Sequence, residues 1–177
     1  MRLAALSLIL AGLAVTVVRY QASVGAAETP AEEQLSIHRN LGKAFYENPT
    51  THAQAVEEFK KALDLAPDSA RERLNYGLAL LHGGKTKEGI AELEKVQKQD
   101  PKLPYTWFNL GIAFKQASDY DRAAQQFEQM VQLVPSEPAS HYNLGYLYKL
   151  AGKTAPSLQQ FETARSEERR VGKECRL

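Results

Sequence analysis

The sequence repeats one pattern of side chains with a period of about 34 residues. Phe59, Phe127 and Phe161 mark three copies, and Leu93 stands at the same place in the remaining one. A small residue lies four positions before each of them: Ala55, Gly89, Ala123 and Ser157. An apolar residue lies three positions after: Ala62, Val96, Met130 and Ala164. Such a period over four copies indicates an array of similar structural units.

Within each copy, the apolar residues have the spacing of α-helices. Phe45 lies four residues after Leu41, and Phe59 lies four after Ala55, which places each pair on one helix face. A proline follows the second apolar stretch in three copies, at Pro67, Pro101 and Pro135, where it cannot continue a helix. A glycine recurs in the first stretch, at Gly42, Gly77, Gly111 and Gly145. Each copy is therefore predicted to be two amphipathic helices whose backbones approach closely at the glycine.

This pattern resembles the tetratricopeptide repeat, and Trp107 stands four positions before Gly111, where that family prefers tryptophan. The resemblance covers residues 35–164, in copies 35–69, 70–103, 104–137 and 138–164, of which the last is truncated. It implies an all-α fold, a right-handed α-solenoid of stacked antiparallel helix pairs with a concave side. Residues 28–34 are expected to be a short linker before the array.

The N-terminal segment, residues 1–27, has the composition of a secretory signal peptide. Arg2 precedes a mostly apolar stretch from Leu3 to Val18, and small residues up to Ala27 offer a cleavage site. The alternative is an uncleaved membrane anchor, which is the one way this chain would contact a membrane. Sixteen apolar residues are fewer than the roughly 20 that span a bilayer. We therefore expect cleavage, with a mature chain that begins at Ala27 or Glu28.

Residues 165–177 resemble the translation of a DNA-sequencing adapter. The segment from Arg165 to Cys175 reads R-S-E-E-R-R-V-G-K-E-C. Arg169 also stands where the repeat spacing would place a fourth proline. We predict that this segment is a non-native tail, and the alternative is a charged helical tail.

The charge balance gives no support to nucleic-acid binding. The signal and the tail together hold seven basic and three acidic residues, so the 22 Lys and Arg and the 21 Asp and Glu fall to 15 and 18, a net charge of −3. A nucleic-acid-binding domain normally has a basic excess. The only cysteine, Cys175, lies in the tail, so neither disulfides nor thiolate metal sites are expected.

No pattern of catalytic, cofactor-binding or metal-binding residues stands out. The histidines are His38, His52, His82 and His141. None has a partner at the spacing of a helical metal site. His38 and His141 stand at the Trp107 position, which indicates packing. The segment from Gly83 to Thr86 ends like a phosphate loop but falls in a predicted turn. We expect no enzymatic activity and no cofactor.

The resemblance implies a binding surface on the concave side, formed by the first helix of each copy. We call it the first-helix surface, and it comprises Arg39, Lys43, Leu74, Asn75, Leu78, Leu81, Phe108, Asn109, Ile112, Lys115, Tyr142, Asn143, Tyr146 and Lys149. Aromatic and aliphatic side chains edged by amides and cations suit an extended peptide or a helix of a protein partner. Alternatively, further repeats or another domain cover this surface.

These features together predict an exported scaffold, periplasmic or secreted, that binds a protein or peptide through its concave surface. The alternative is the N-terminal interaction region of a longer exported protein with further domains, including enzymatic ones, beyond the adapter junction.

Overall fold

The computed structural model describes residues 29–174 of the chain, with side chains up to residue 172. This part contains eight α-helices and no strand: α1 Pro30–Tyr46, α2 His52–Leu65, α3 Ala70–His82, α4 Thr86–Gln99, α5 Pro104–Gln116, α6 Tyr120–Leu133, α7 Pro138–Leu150 and α8 Thr154–Glu174. A 3-10 turn, Pro49–Thr51, connects α1 to α2. The predicted signal peptide over residues 1–27 lies outside the described residues.

The chain divides into two units between Gln34 and Leu35. Of the first unit, the structure describes only residues 29–34. In the second unit, consecutive helices pack against one another along the chain, and short turns between them make neighbours antiparallel. The contact of Gly42 with Phe59 joins the first two helices in the same way. The predicted all-α solenoid of stacked helix pairs is confirmed.

Helix α1 begins at Pro30, earlier than the expected linker over residues 28–34 allows. Thr29 and Glu32 form a capping box, because the Glu32 backbone N–H donates to Thr29 Oγ1 at 3.3 Å and the Thr29 N–H donates to Glu32 Oε2 at 2.8 Å. Pro30 occupies the first helical position, where the missing N–H costs nothing. Local capping therefore starts the helix before the first residue of the repeat.

The recurring glycine and the recurring large side chain contact each other in every copy. A β-carbon added to Gly111 would lie 2.8 Å from ring atoms of Phe127, and one added to Gly42 would lie 2.7 Å from Phe59. In the second copy the neighbour is Leu93, 3.0 Å from a β-carbon on Gly77. Phe127 and Leu93 are fully buried, so the residue that marks the period lies at the centre of these two helix pairs.

The small residue of the second helix allows the same close approach from the other side. Ala55 and Ala123 are fully buried. In the last copy, the Ser157 hydroxyl donates a hydrogen bond to the Gly145 carbonyl at 2.8 Å. A larger side chain at these positions would separate the two backbones.

The turns between paired helices share a left-handed position. Gly84 has a φ of 78° and Gly152 a φ of 72°, and Ser118 has a φ of 60° at the equivalent position. A β-carbon in this conformation costs about 1 kcal/mol relative to glycine. The segment from Gly83 to Thr86, which resembles the end of a phosphate loop, is one of these turns.

In the last three copies, the residue four positions before the glycine ties its helix to the preceding turn. Arg73, Trp107 and His141 donate hydrogen bonds to the carbonyls of the prolines six residues earlier, at 2.6, 2.8 and 2.8 Å. Three different side chains thus bond the equivalent proline carbonyl in three copies, because each carries an N–H donor within reach. His141 is buried and has the packing role expected from the sequence.

The same position also contacts the second helix of its own copy. His38 lies 2.6 Å from Glu58, and Arg73 lies 2.9 Å from Glu92. Burial opposes ionisation of Glu92, but hydrogen bonds from Lys95 and Arg73 outweigh it and hold the pKa of this carboxyl below its ordinary value. These acids therefore hold the helix pair together, whereas the sequence alone leaves them indistinguishable from solvated surface charges.

A buried ion pair joins the first two copies. The Arg39 guanidinium lies 2.7 Å from Glu72 Oε1, and the Glu72 side chain is 1% exposed. Its second carboxylate oxygen has no partner in the described chain. At the equivalent place between copies two and three, Leu74 and Thr106 occupy these positions, so the ion pair is particular to the first junction.

Helix α8 continues through Glu174 into the predicted non-native tail. Arg170 and Glu167 form an ion pair one turn apart at 2.8 Å, as expected of a charged helical sequence. That residues 165–177 are not part of the natural protein stays a prediction.

The glycine–phenylalanine contact predicts a specific coupling between two substitutions. Gly111→Ala gains about 1 kcal/mol of helix propensity, but overpacking against Phe127 costs about 1–3 kcal/mol, so we expect a net loss of stability. Phe127→Leu, which copies Leu93, should relieve the overlap. In urea unfolding, the double variant should be more stable than the sum of the two single changes predicts, by about 1 kcal/mol.

The matched control is Gln129→Ala on the exposed face of α6, which should show no coupling with Phe127→Leu. The neighbouring Gln126 is not used as a control site, because its side-chain oxygen accepts a hydrogen bond from Gln97 at 2.7 Å. Additive losses for Gly111→Ala and Phe127→Leu would contradict the proposed contact.

The Arg39–Glu72 pair predicts a second non-additive result. Arg39→Leu alone leaves a buried carboxylate uncompensated, which should cost about 3–5 kcal/mol. Arg39→Leu combined with Glu72→Thr copies the next junction and should recover most of this loss. Urea unfolding of the three variants measures the effect, and a double variant no more stable than Arg39→Leu would show that the pair is not the cause.

Candidate binding surface

The first-helix surface lies on four helices, α1, α3, α5 and α7, one from each copy. In each of these helices the recurring glycine faces the second helix of the same copy. The residue three positions before the glycine also reaches that helix in copies three and four, because the Tyr142 ring lies 5.5 Å from the Phe161 ring and Phe108 lies beside Phe127. The structure divides the predicted residues into two groups. One group takes part in the packing of the array, and the other is open to solvent.

The first two copies contribute mostly packed side chains. Arg39 is held by the buried Glu72, so it is not the free cation that the sequence predicts. Leu74, Leu78 and Leu81 are half-buried and pack against the main core cluster. Lys43 is exposed and is the residue of this half that stays available to a partner.

In the third copy, the apolar residues are shared between the core and the surface. Phe108 is half-buried, and its ring meets the Phe127 ring edge-on, with centroids 5.8 Å apart. Ile112 is also half-buried against the core cluster. Both can offer a partner only part of their surface.

The asparagines two positions before the glycines face the backbone of their own helices. Asn109 Nδ2 donates to the Tyr105 carbonyl at 2.7 Å, and Asn143 Nδ2 donates to the Ala139 carbonyl at 2.8 Å. The Asn75 amide nitrogen is buried and has no partner in the described chain. Asn143 is buried, so its direct contact with a ligand would be small.

Copies three and four form the most open part of the surface. Tyr142 is 58% exposed and Tyr146 is 41% exposed. Together with Lys115, Tyr120 and Asn143 they line a cavity of about 330 Å³. Lys115 Nζ donates to Asn143 Oδ1 at 2.5 Å, which directs the ammonium group into this group of tyrosines. Lys149, the last predicted residue, is exposed on the same helix as Tyr146.

Two tyrosines of this region are not among the residues predicted from the sequence. Tyr120 is 45% exposed and begins α6, a second helix, where no binding residue was expected. Tyr105 is 70% exposed and lines a smaller apolar cavity of about 190 Å³ with Phe108 and Met130. Tyr105 could have been found, because it lies three positions before Phe108 on one helix face.

A larger cavity of about 580 Å³ lies between the turns that follow α5 and α7, away from most of the first-helix surface. Two of its polar side chains take part in contacts within the chain. Asp119 caps α6 and pairs with Arg122 at 2.5 Å. Burial and a hydrogen bond to Glu128 raise the pKa of Tyr148 to about 12.

Within residues 29–174, no helix is long and apolar enough to cross a membrane. In the same part of the chain, no three or more side chains of the metal-binding types converge. The strongest candidate site is consequently the tyrosine-lined cavity of copies three and four.

Solved structures with a similar fold include several of MamA. A crystal structure of MamA has a TM-score of 0.72 and 20% identity, over 78% of this chain and 81% of that one. MamA from Desulfovibrio magneticus RS-1, residue 41 to the end, has a TM-score of 0.70 and 17% identity, over 76% and 75%. At such identities the likeness concerns the fold. A comparison with curated proteins finds no match.

Two sequence models of one family match the chain side by side. Both are described as tetratricopeptide repeat, and they match residues 51–107 and 108–168. Their combined span contains three of the four glycine–large side chain contacts described above. The chain therefore belongs to the tetratricopeptide-repeat family.

Proposed function

We propose that this protein is an exported, non-enzymatic scaffold that binds a segment of a protein partner through its concave surface, centred on copies three and four. Tetratricopeptide-repeat proteins generally bind protein partners. The observation that carries the proposal is the cavity between Lys115, Tyr120, Tyr142 and Tyr146. Exposed tyrosines bury a large area at a small cost in side-chain entropy, so they are efficient anchors for a partner.

The charges of this surface favour a partner segment with an acidic residue. Lys115 bonds to an amide oxygen. Within the described chain, the side chains of Lys115, Lys43 and Lys149 form no ion pair. No Asp or Glu occurs among the residues of the first-helix surface. A carboxylate on the partner would find unneutralised ammonium groups, with an apolar or aromatic side chain seated among the tyrosines.

Tyrosine truncation provides the test. Tyr146 has no ring contact in the described structure, so Tyr146→Ala should leave the fold intact, unlike Phe108→Ala, which removes a contact with Phe127. Because the Tyr142 ring lies 5.5 Å from the Phe161 ring, the test uses Tyr146→Ala alone. We expect this variant to lower the affinity for a peptide selected from a random library by about 30-fold, as for the loss of an anchor worth about 2 kcal/mol. Circular dichroism checks the fold, and fluorescence anisotropy measures the affinity.

Two further variants locate the site. Lys115→Ala should weaken binding by less than about tenfold, and more at low salt than at high salt. Gln129→Lys, on the exposed face of α6, should leave the affinity unchanged. If Gln129→Lys removes binding while the tyrosine variant keeps it, the partner docks on the second helices and the proposal fails.

Export is the second part of the proposal, and it rests on the N-terminal sequence pattern. If the signal is cleaved as expected, the exported protein begins at Ala27 or Glu28. Intact-mass measurement of protein recovered from the extracytoplasmic fraction checks this. A chain that retains Met1 and remains with the membrane would support the uncleaved anchor instead.

A further inference from the structure

The fold brings together two histidines that are distant in the sequence. His52 is the first residue of α2, and His82 is the last residue of α3. Since these helices are antiparallel neighbours, the start of one lies beside the end of the other. The ring centroids are 5.5 Å apart, and the ring planes are inclined by 77°. The pair spans the junction between copies one and two, whereas the tyrosine-lined cavity lies in copies three and four.

A backbone hydrogen bond fixes the tautomer of His52. Its Nδ1 lies 3.1 Å from the His82 carbonyl oxygen, and since a carbonyl can only accept, Nδ1 carries the proton. The neutral ring therefore presents an unshared electron pair at Nε2. Metal-binding histidines commonly donate their other ring N–H to a backbone carbonyl in this way, which orients the ring and raises the basicity of the binding nitrogen.

His82 has free ring nitrogens. Its side chain makes no hydrogen bond within the described chain, and the ring of Tyr46 lies against it with centroids 4.9 Å apart. Tyr46 also approaches His52, at 6.0 Å.

The separation of the two rings fits one shared ion. With a Zn–N distance of about 2.0–2.1 Å and a tetrahedral angle, the centroids of two bound imidazoles lie about 5.2 Å apart. The observed 5.5 Å is close to this value, and His82 is exposed, so its ring can turn toward a common ion. We propose that His52 and His82 form a site for a divalent transition-metal ion such as Zn²⁺, which would link the first two copies.

Two imidazoles define the class of ion. Imidazole suits Zn²⁺, Cu²⁺ and Ni²⁺, whereas Mg²⁺ and Ca²⁺ prefer oxygen. No third metal-binding side chain of the types His, Cys, Asp and Glu converges on the pair in the described chain, so water completes the coordination. An ion bound by two helices of the folded array and not by the unfolded chain stabilises the folded state.

The experiment uses ZnCl₂ and the chain without a histidine tag. Calorimetric titration should find one Zn²⁺ per chain, and thermal unfolding should shift upward by about 2–4 °C in saturating ZnCl₂. MgCl₂ at the same concentration should show no binding in the titration and should leave the unfolding temperature unchanged. His82→Ala should weaken Zn²⁺ binding at least tenfold and remove the thermal shift, each variant being compared with its own metal-free sample.

His38→Gln is the matched control, since His38 pairs with Glu58 and has no second histidine beside it in the described chain. It should keep both the binding and the thermal shift. His52→Gln should lose them, and if that variant does not fold, His82→Ala carries the test because its side chain makes no hydrogen bond. Undiminished Zn²⁺ binding by His82→Ala, or no binding by the unaltered chain, would overturn the proposal.

Discussion

The contact between a glycine on the first helix and a large apolar side chain on the second is the interaction on which the whole array depends. At Gly111 and Phe127 the ring occupies the space that any β-carbon would need. Because the contact recurs in every copy, the copies are similar helix pairs, and similar units stack into a solenoid. Leu93 shows that the position requires a large apolar side chain rather than an aromatic ring.

The junctions between copies vary more than the pairs within them. Arg39 and Glu72 bridge the first junction with a buried ion pair, whereas Leu74 and Thr106 stand at the next one. Also at the junctions, the donors that bond the proline carbonyls of the preceding copy are an arginine, a tryptophan and a histidine. The geometry of the array therefore requires a donor of suitable reach at these places, and several residue types satisfy it.

These packing demands leave one region available for binding. In the first two copies, the inter-repeat ion pair and the core occupy Arg39 and the leucines of the first-helix surface. In the last two, Tyr142 and Tyr146 remain exposed around Lys115. The proposed binding activity and the proposed metal site consequently lie on different copies, so each can be altered without removing the other.

The repeat, the helix pairs, their turns and the family could all be predicted from the sequence. A regular period is a local pattern, and the order of residues along the chain is enough to show it. The same pattern placed Tyr142, Tyr146 and Lys115 on the first helices. Which charges are free depended on the folded array, since Arg39 is paired with a residue 33 positions away. The stacking of copies also put Tyr120 beside the first helices and His52 next to His82. Such contacts depend on how neighbouring copies pack, and the spacing within one copy carries no information about that.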